Sequence, residues 1–369
     1  MTSCGVLHVN TERGWRGGEA QTLLLARGLL ARGHRCHLAV PPGTPLEARA
    51  RQAGLPVTPL AARGEFDPGA IIRLAGLLRS LRPDLVHYHT SHAITLGTLA
   101  SFLAGRRKSV ASRRVSFPLA RNPLARIKYT TRVDRIIAVS DAIREALCVA
   151  GIPRERVEVI HSAVDLARFD RLPDRMACRW GLGYGDAEFV VGSIGHLAAH
   201  KGHEVLLEAA ARLAPANPAL RFLLVGRGER EAELRRRIAS AGLEERFRLA
   251  GFRDDVGAIL PALDLLVFPS LSGEGSPAVL KEAMACGVPV AASNISGVRE
   301  VIRQGEDGLL IPPSDPAALS DAVLFFAGDR SRGLEFGRRG RERARTFGVE
   351  TMVERTEAIY LDLLAARRP

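Results

Sequence analysis

Residues 265–291 decide the fold class. They run Leu265-Leu266-Val267-Phe268, then Pro269-Ser270-Leu271-Ser272-Gly273, then Glu274-Gly275-Ser276-Pro277-Ala278-Val279-Leu280-Lys281-Glu282-Ala283-Met284-Ala285-Cys286-Gly287, then Val288-Pro289-Val290-Ala291. The first four residues read as a short apolar strand, bounded by turn-forming residues. Ser276 is a favoured N-cap and Pro277 suits a first helical position, so a helix is expected to open there and to close at Gly287. A second apolar run follows at once. Strand, helix and strand in this order are the unit of parallel α/β architecture.

The same alternation extends in both directions. Before residue 165 it predicts strands near Gly5–Val9, Arg35–Val40, Asp84–Tyr88, Ser109–Ser112, Arg135–Val139 and Arg156–Ile160, with helices between them. A polar break, Asp165 to Pro173, interrupts the pattern. It restarts with Glu188–Ile194, Arg221–Val225, Arg246–Leu249, Leu265–Phe268 and Val288–Ala291. The expectation is two Rossmann-like, doubly wound domains facing across a cleft. Residues 1–168 form the first and 169–348 the second, with a C-terminal helix, about 349–369, packing back on the first. At ~150 residues per domain, 369 residues suit this division. Ligands of such sheets bind beyond the carboxyl ends of the strands, so the chemistry is expected in the loops that follow them.

Composition narrows the function. With 46% hydrophobic and 25% charged residues the chain is globular. A mean hydropathy of +0.03, and no apolar run near ~18 residues, argue against a membrane-spanning helix. The first residues do not read as a secretory signal. Five scattered cysteines, Cys4, Cys36, Cys148, Cys178 and Cys286, lack the spacing of a zinc site or disulfide framework and point to a reducing cytoplasm. The net charge of +12 is unevenly placed: residues 1–165 hold 24 Lys and Arg against 12 Asp and Glu, and the remainder holds 28 of each. The excess is densest over 106–135. A GC-rich genome accounts for the preference for Arg over Lys, since 48 of the 52 basic residues are Arg, but not for the asymmetry.

The helix start at Ser276 carries the chemistry. Its first turn lacks the acid that usually complements the helix dipole, which leaves N–H groups for an external anion such as a diphosphate. Glu282 lies five residues past Pro277, about 7.5 Å along a helix axis, the offset from a diphosphate to its ribose. A carboxylate there can accept from two ribose hydroxyls. Glu274 falls on the other side of the phosphates, where a sugar would lie. The plain alternative is an ordinary capped helix with two solvated glutamates. Lys281 reads as a helix-surface residue, about 100° around from its neighbours.

Glu274 and Glu282 around a helix ending in Glu282-Ala283-Met284-Ala285-Cys286-Gly287-Val288-Pro289-Val290 resemble the retaining glycosyltransferases of family 4. The likeness continues through Val139-Ser140, Ile160 to Phe169, Val225-Gly226-Arg227-Gly228 and Gly308 to Pro313, in order over nearly the whole chain. The resemblance implies the GT-B fold and hexosyl transfer from a nucleotide sugar, a UDP-sugar before GDP- or ADP-sugars, with retained configuration. It places donor contacts at Gly17 and Gly18, at Gly195, His196 and Lys201, at Phe252 and Arg253 for the base, and at Gly275, Ser276, Ala278, Val279 and Glu282. Lys201 would neutralise the departing diphosphate. His196 stands where the family has an arginine. Arg114 stands where the family has a histidine; it cannot act as a base and is expected to clamp charge, with His89 sharing the sugar contact. Glu274 positions the transferred sugar. No Asp-x-Asp occurs, so no metal and no further cofactor are expected.

In this family the first domain meets the acceptor, and here it holds the charge. An anionic glycolipid or envelope glycan, lipopolysaccharide core above others, is therefore the expected acceptor. Trp15, Arg16, Arg113, Arg121, Arg126 and Lys128 are candidates for contact with it or with an anionic inner-leaflet membrane surface. The expected place is the cytoplasm, peripheral on the inner face of the membrane. A GT-B epimerase or synthase is the neighbouring alternative. A basic nucleic-acid-binding protein is the alternative from another class, disfavoured because aromatics are 5% of the chain and the basic stretch interleaves only Phe117 and Tyr129. Nucleic acid is not an expected partner.

Overall fold

The computed structural model describes residues 3–115, 128–130 and 132–366. The chain forms two compact units, Met1–Ala163 with Val349–Pro369, and Val164–Gly348.

In the first unit seven parallel strands lie in the order β3-β2-β1-β4-β5-β6-β7. They are β1 (Gly5–Val9), β2 (Arg35–Val40), β3 (Val57–Pro59), β4 (Leu85–Tyr88), β5 (Lys108–Arg113), β6 (Arg135–Ala138) and β7 (Val157–Val159). Central strands such as β1 and β4 are buried along their whole length, as parallel sheets covered on both faces require. Leu7, Val86 and Ile136 pack on one face; Val6, Leu85 and Ile137 pack on the other. Thr90, Ser140 and Asp67 cap helices that follow strands, each side chain accepting a backbone N–H of the first turn and contributing about 1 kcal/mol. Helix Val349–Ala365 lies against helix Gly17–Ala31. Gly28 permits this approach, because a Cβ there would sit 2.3 Å from Val353 Cγ2. Glu357 then ties the pair, accepting from Arg32 Nη2 at 2.6 Å and meeting His34 Nε2 at 2.7 Å.

The second unit has six parallel strands in the order β10-β9-β8-β11-β12-β13. They are β8 (Phe189–Ile194), β9 (Leu220–Val225), β10 (Phe247–Leu249), β11 (Leu265–Phe268), β12 (Val290–Ser293) and β13 (Leu309–Ile311). In both units the strand order turns back at the first strand, between β1 and β4 and between β8 and β11. Crevices for ligands open beyond the carboxyl ends of strands at such switch points.

Several elements differ from the sequence expectation. The three-residue edge strands β3 and β13 and the helices Pro45–Gln52, Arg175–Gly181 and Arg330–Ala344 were not anticipated. Helix Arg330–Ala344 carries Gly333, Gly337 and Gly340, which read as helix breakers; a Cβ on Gly337 would lie 2.0 Å from the Gly287 carbonyl oxygen, so close packing demands the glycine. No helix among the described residues is long and apolar enough to cross a membrane.

Candidate functional site

In the second unit the two loops at the switch point meet through an ion pair. The loop after β8 passes Gly195 and His196 and ends in a short turn, Ala199–Lys201. The loop after β11 carries Glu274. Lys201 Nζ donates to Glu274 Oε1 at 2.6 Å, and Ser270 Oγ donates to the same oxygen at 3.0 Å. Glu274 is buried, and Lys201 Nζ stands 5.2 Å from the Phe268 ring centre. These groups are 73 residues apart in the chain. The loop is held from beneath by Gly297, where a Cβ would lie 2.3 Å from the Gly275 carbonyl oxygen and 2.4 Å from that of Glu274. Neither Ser270 nor Gly297 was singled out in the sequence, since neither carries a charge or lies within the motif.

The helix after Glu274 starts one residue later than expected. It spans Ala278–Ala285, with Pro277 as N-cap in an extended conformation. Proline offers no side-chain acceptor, and the first turn has no acid, so side chains leave the N-terminal N–H groups free. Ser276 is therefore not the cap. Its hydroxyl instead meets Lys281 Nζ at 2.5 Å. Lys281 is fully buried, not on the helix surface, because the side of the helix away from solvent faces Phe347. Glu282 is half-buried; burial raises its pKa and the Arg168 charge opposes the rise. Ala278 and Val279 are half-buried beside it, and Gly275 is buried.

His196 is exposed and pairs with Glu229 at 3.1 Å. Phe252 is 55% exposed, a surface ring without a core to explain it. Arg253 Nε donates to Asp255 Oδ1 at 2.7 Å. A Cβ on Gly195 would meet nothing within 4 Å; the constraint falls on Gly226, which has φ of 147° and where a Cβ would overlap the Gly195 carbonyl oxygen.

In the first unit the switch point is closed by Thr11 Oγ1 and Thr90 Oγ1, 2.6 Å apart. A depression of about 350 Å³ beside it is lined by Arg13, Arg16, Glu19, Arg63 and His92. Helix Gly17–Ala31 opens on this side, and Arg16 N–H donates to Glu19 Oε2 at 2.9 Å. A Cβ on Gly17 would meet nothing within 4 Å, and one on Gly18 would meet only Arg114 Cδ at 4.0 Å. Internal packing thus gives no reason for either glycine. Trp15 lies under the Arg49 guanidinium, 4.4 Å away.

Arg114 rests on a stack of histidines. Its Nη1 donates to the His89 carbonyl at 3.2 Å and its Nη2 meets His89 Nδ1 at 3.2 Å. His89 Nε2 lies 3.0 Å from His8 Nδ1. His87, register partner of His8 across β1 and β4, bonds Ser112 Oγ at 2.8 Å and Tyr360 Oη at 2.5 Å. Both nitrogens of His89 are engaged within the protein, so it backs Arg114 and has no nitrogen free for a sugar. Burial pushes the His8 pKa down to about 3 and those of His87 and His89 well below the usual range, and brings Arg114 to about 10. Nitrogens of the three histidines lie within 4.8 Å of one another. The His87 and His89 rings stack at 4.1 Å and 25°, so their in-plane lone pairs run side by side and do not converge on a point. His8, His87 and Tyr360 were not predicted. The signal was the alternation of His87 and His89 on one strand face; the register that adds His8 is a property of the sheet.

Two expected surface contacts are corrected. Arg113 is 8% exposed and turned inward, with Nη1 3.3 Å from Tyr129 Oη, because successive strand residues point to opposite faces. Lys128 is half-buried and paired with Glu65. Arg121 and Arg126 lie outside the described residues.

The family pattern for glycosyl transferases group 1 matches residues 177–343, and that for glycosyltransferase family 4 matches residues 15–168. The chain is 32% identical over 360 residues to the 2-deoxystreptamine N-acetyl-D-glucosaminyltransferase of Streptomyces fradiae, covering 86% of this chain and 83% of that one. It is 31% identical over 241 residues to the lipopolysaccharide core biosynthesis mannosyltransferase LpsB of Rhizobium meliloti, covering 63% and 67%. Three other curated relatives are matched over 17%, 57% and 48% of their own lengths. The crystal structure of Anabaena HepE in complex with UDP-glucose superposes with a TM-score of 0.87 at 24% identity, covering 97% of this chain and 99% of that one.

Proposed function

The chain belongs to the glycosyltransferases of group 1 and family 4, which share the GT-B fold, and on that premise we propose that it moves a sugar from a nucleotide-sugar donor to an anionic envelope glycan or lipid-linked acceptor. The observation that carries the reading is the meeting of Lys201 and Glu274 at 2.6 Å before a helix whose first turn is free of acid and side-chain cap. The diphosphate occupies that helix start, where backbone N–H groups and Lys201 offset its charge. Glu282 accepts from the ribose, and Glu274 from hydroxyls of the transferred sugar. Phe252 and Arg253 flank the base. Gly195 and His196 border the phosphates. Gly17 and Gly18 leave the first helix open to donor and acceptor, and Arg114 clamps developing charge. Trp15 and Arg16 lie on the acceptor side.

Configuration is retained in a front-face substitution. The acceptor oxygen bonds to the anomeric carbon on the face from which the diphosphate leaves. The bond to the diphosphate breaks, and its oxygen takes the acceptor's proton. Protein groups thus supply position and field and need no nucleophile of their own.

The acceptor class follows from charge. The first unit holds 27 Lys and Arg against 15 Asp and Glu, and the second 25 of each. A field of this sign draws phosphorylated acceptors and anionic leaflets and repels an aminocyclitol cation. Lipopolysaccharide core synthesis, the role of LpsB, supports the envelope assignment, and the UDP-glucose held by HepE makes UDP-sugars the first donors to test. A thermal-shift screen of UDP-, GDP- and ADP-sugars checks the proposal: one class should raise Tm, and product analysis with and without an acceptor separates transfer from epimerisation. No shift with any of them would sink the donor reading.

A further inference from the structure

Lys281 stands behind the loop that the donor reading wraps around the diphosphate, and that reading gives it no task. It is 0% exposed, at the fourth position of helix Ala278–Ala285. Its Nζ turns back to Ser276 Oγ at 2.5 Å and lies 4.6 Å from the Phe347 ring centre. A cation here is opposed by burial, by the positive end of the helix dipole, and by Arg343, whose guanidinium shares the Phe347 ring at 4.9 Å. The field of Glu300 acts in its favour. On balance burial pushes the pKa down to about 7. A methionine of similar length would fill the space without these costs, so packing does not account for the lysine.

The hydrogen-bond chemistry does account for it. An ammonium only donates, so at this contact Ser276 Oγ is the acceptor. The hydroxyl's own proton is then directed away from Lys281. Ser276, 8% exposed, lies between Gly275 and the uncapped helix start, where an O–H turned to an anionic oxygen would complement it.

We propose that Lys281 is a positioning residue of the donor pocket, fixing the Ser276 hydroxyl as a donor to the diphosphate and holding a positive charge beneath the loop that receives it. The inference rests on the donor reading above.

The test uses the full chain and whichever of UDP, GDP and ADP it binds most tightly, with the matching nucleoside as control, titrated calorimetrically. K281M should weaken nucleoside diphosphate binding about tenfold, leave nucleoside binding unchanged, and raise Tm in the absence of nucleotide. S276A, which leaves the helix intact, should weaken binding by a similar factor, and S276T should restore it. The double variant should be no weaker than the weaker single one, since both remove one donor. In turnover, KM for the donor should rise in K281M with kcat within about twofold of wild type. Wild-type diphosphate affinity in K281M or in S276A, losses that multiply in the double variant, or equal loss of nucleoside affinity would each overturn the proposal. E282A separates the two readings. If it weakens binding while K281M and S276A do not, the lysine's role alone fails. If wild type binds no nucleoside diphosphate, both fail.

Discussion

Neighbouring residues on one helix, Lys281 and Glu282, show what residue identity can and cannot convey. Spacing places Glu282 a ribose-length from the helix start; burial raises its pKa, and the Arg168 charge opposes that rise and favours the accepting carboxylate. E282A should therefore weaken nucleotide binding ten- to a hundredfold, the loss of hydrogen bonds to a charged group at about 1.5–3 kcal/mol. K201A should weaken it as well, whereas E274A should mainly lower kcat; steady-state kinetics and calorimetry distinguish them. Lys281 points about 100° away, and a sequence gives that angle but not the side on which solvent lies. The pH response follows from its burial. The ammonium is present below about pH 7 and is lost above it, so diphosphate affinity should fall as pH rises past 7 in wild type and stay flatter in K281M.

Among the elements, those with continuous apolar runs were legible, and β1, β2 and β11 have their expected bounds. The misses have packing causes. Strand β3 ends in Pro59 and lies at a sheet edge, where three residues leave little periodicity. Helix Arg330–Ala344 holds three glycines, of which Gly337 is demanded by the Gly287 carbonyl it must pass. Ser276 resembles a cap in sequence, yet its hydroxyl is taken by a lysine five residues on. Gly297 belongs to the same class of hidden constraint. G297A should cost about 1–3 kcal/mol by overpacking against two carbonyl oxygens, and should shift the Glu274 loop. Urea unfolding checks the first effect, and a larger fall in donor affinity than in stability checks the second.

For the molecule as a whole, the buried histidines set an acid limit. The folded pKa values of His8, His87 and His89 lie below the unfolded value near 6.5, so the unfolded chain takes up protons first. Their contribution is complete above pH 6.5 and is lost as pH falls, by about 1.4 kcal/mol per pH unit for each. Tm should drop steeply below pH 6, and H8Q should flatten the fall. The charge division between the units makes a second global prediction. Cosedimentation with anionic liposomes should be strong at low salt, weaken as salt rises, and diminish when Arg121 and Arg126 are changed to Glu. Binding to neutral and anionic vesicles alike would contradict the electrostatic basis of the acceptor assignment.

The sequence by itself determined the α/β alternation, the motif around Glu274 and Glu282, and the imbalance of charge between the halves. These are local or additive properties, readable from periodicity, spacing and counting. Only the tertiary structure decided that Lys201 meets Glu274, that His8 stands beside His87, and that Lys281 is enclosed. Those pairings join strands and loops distant along the chain, and their partners are chosen by sheet register and by which helix face the core covers.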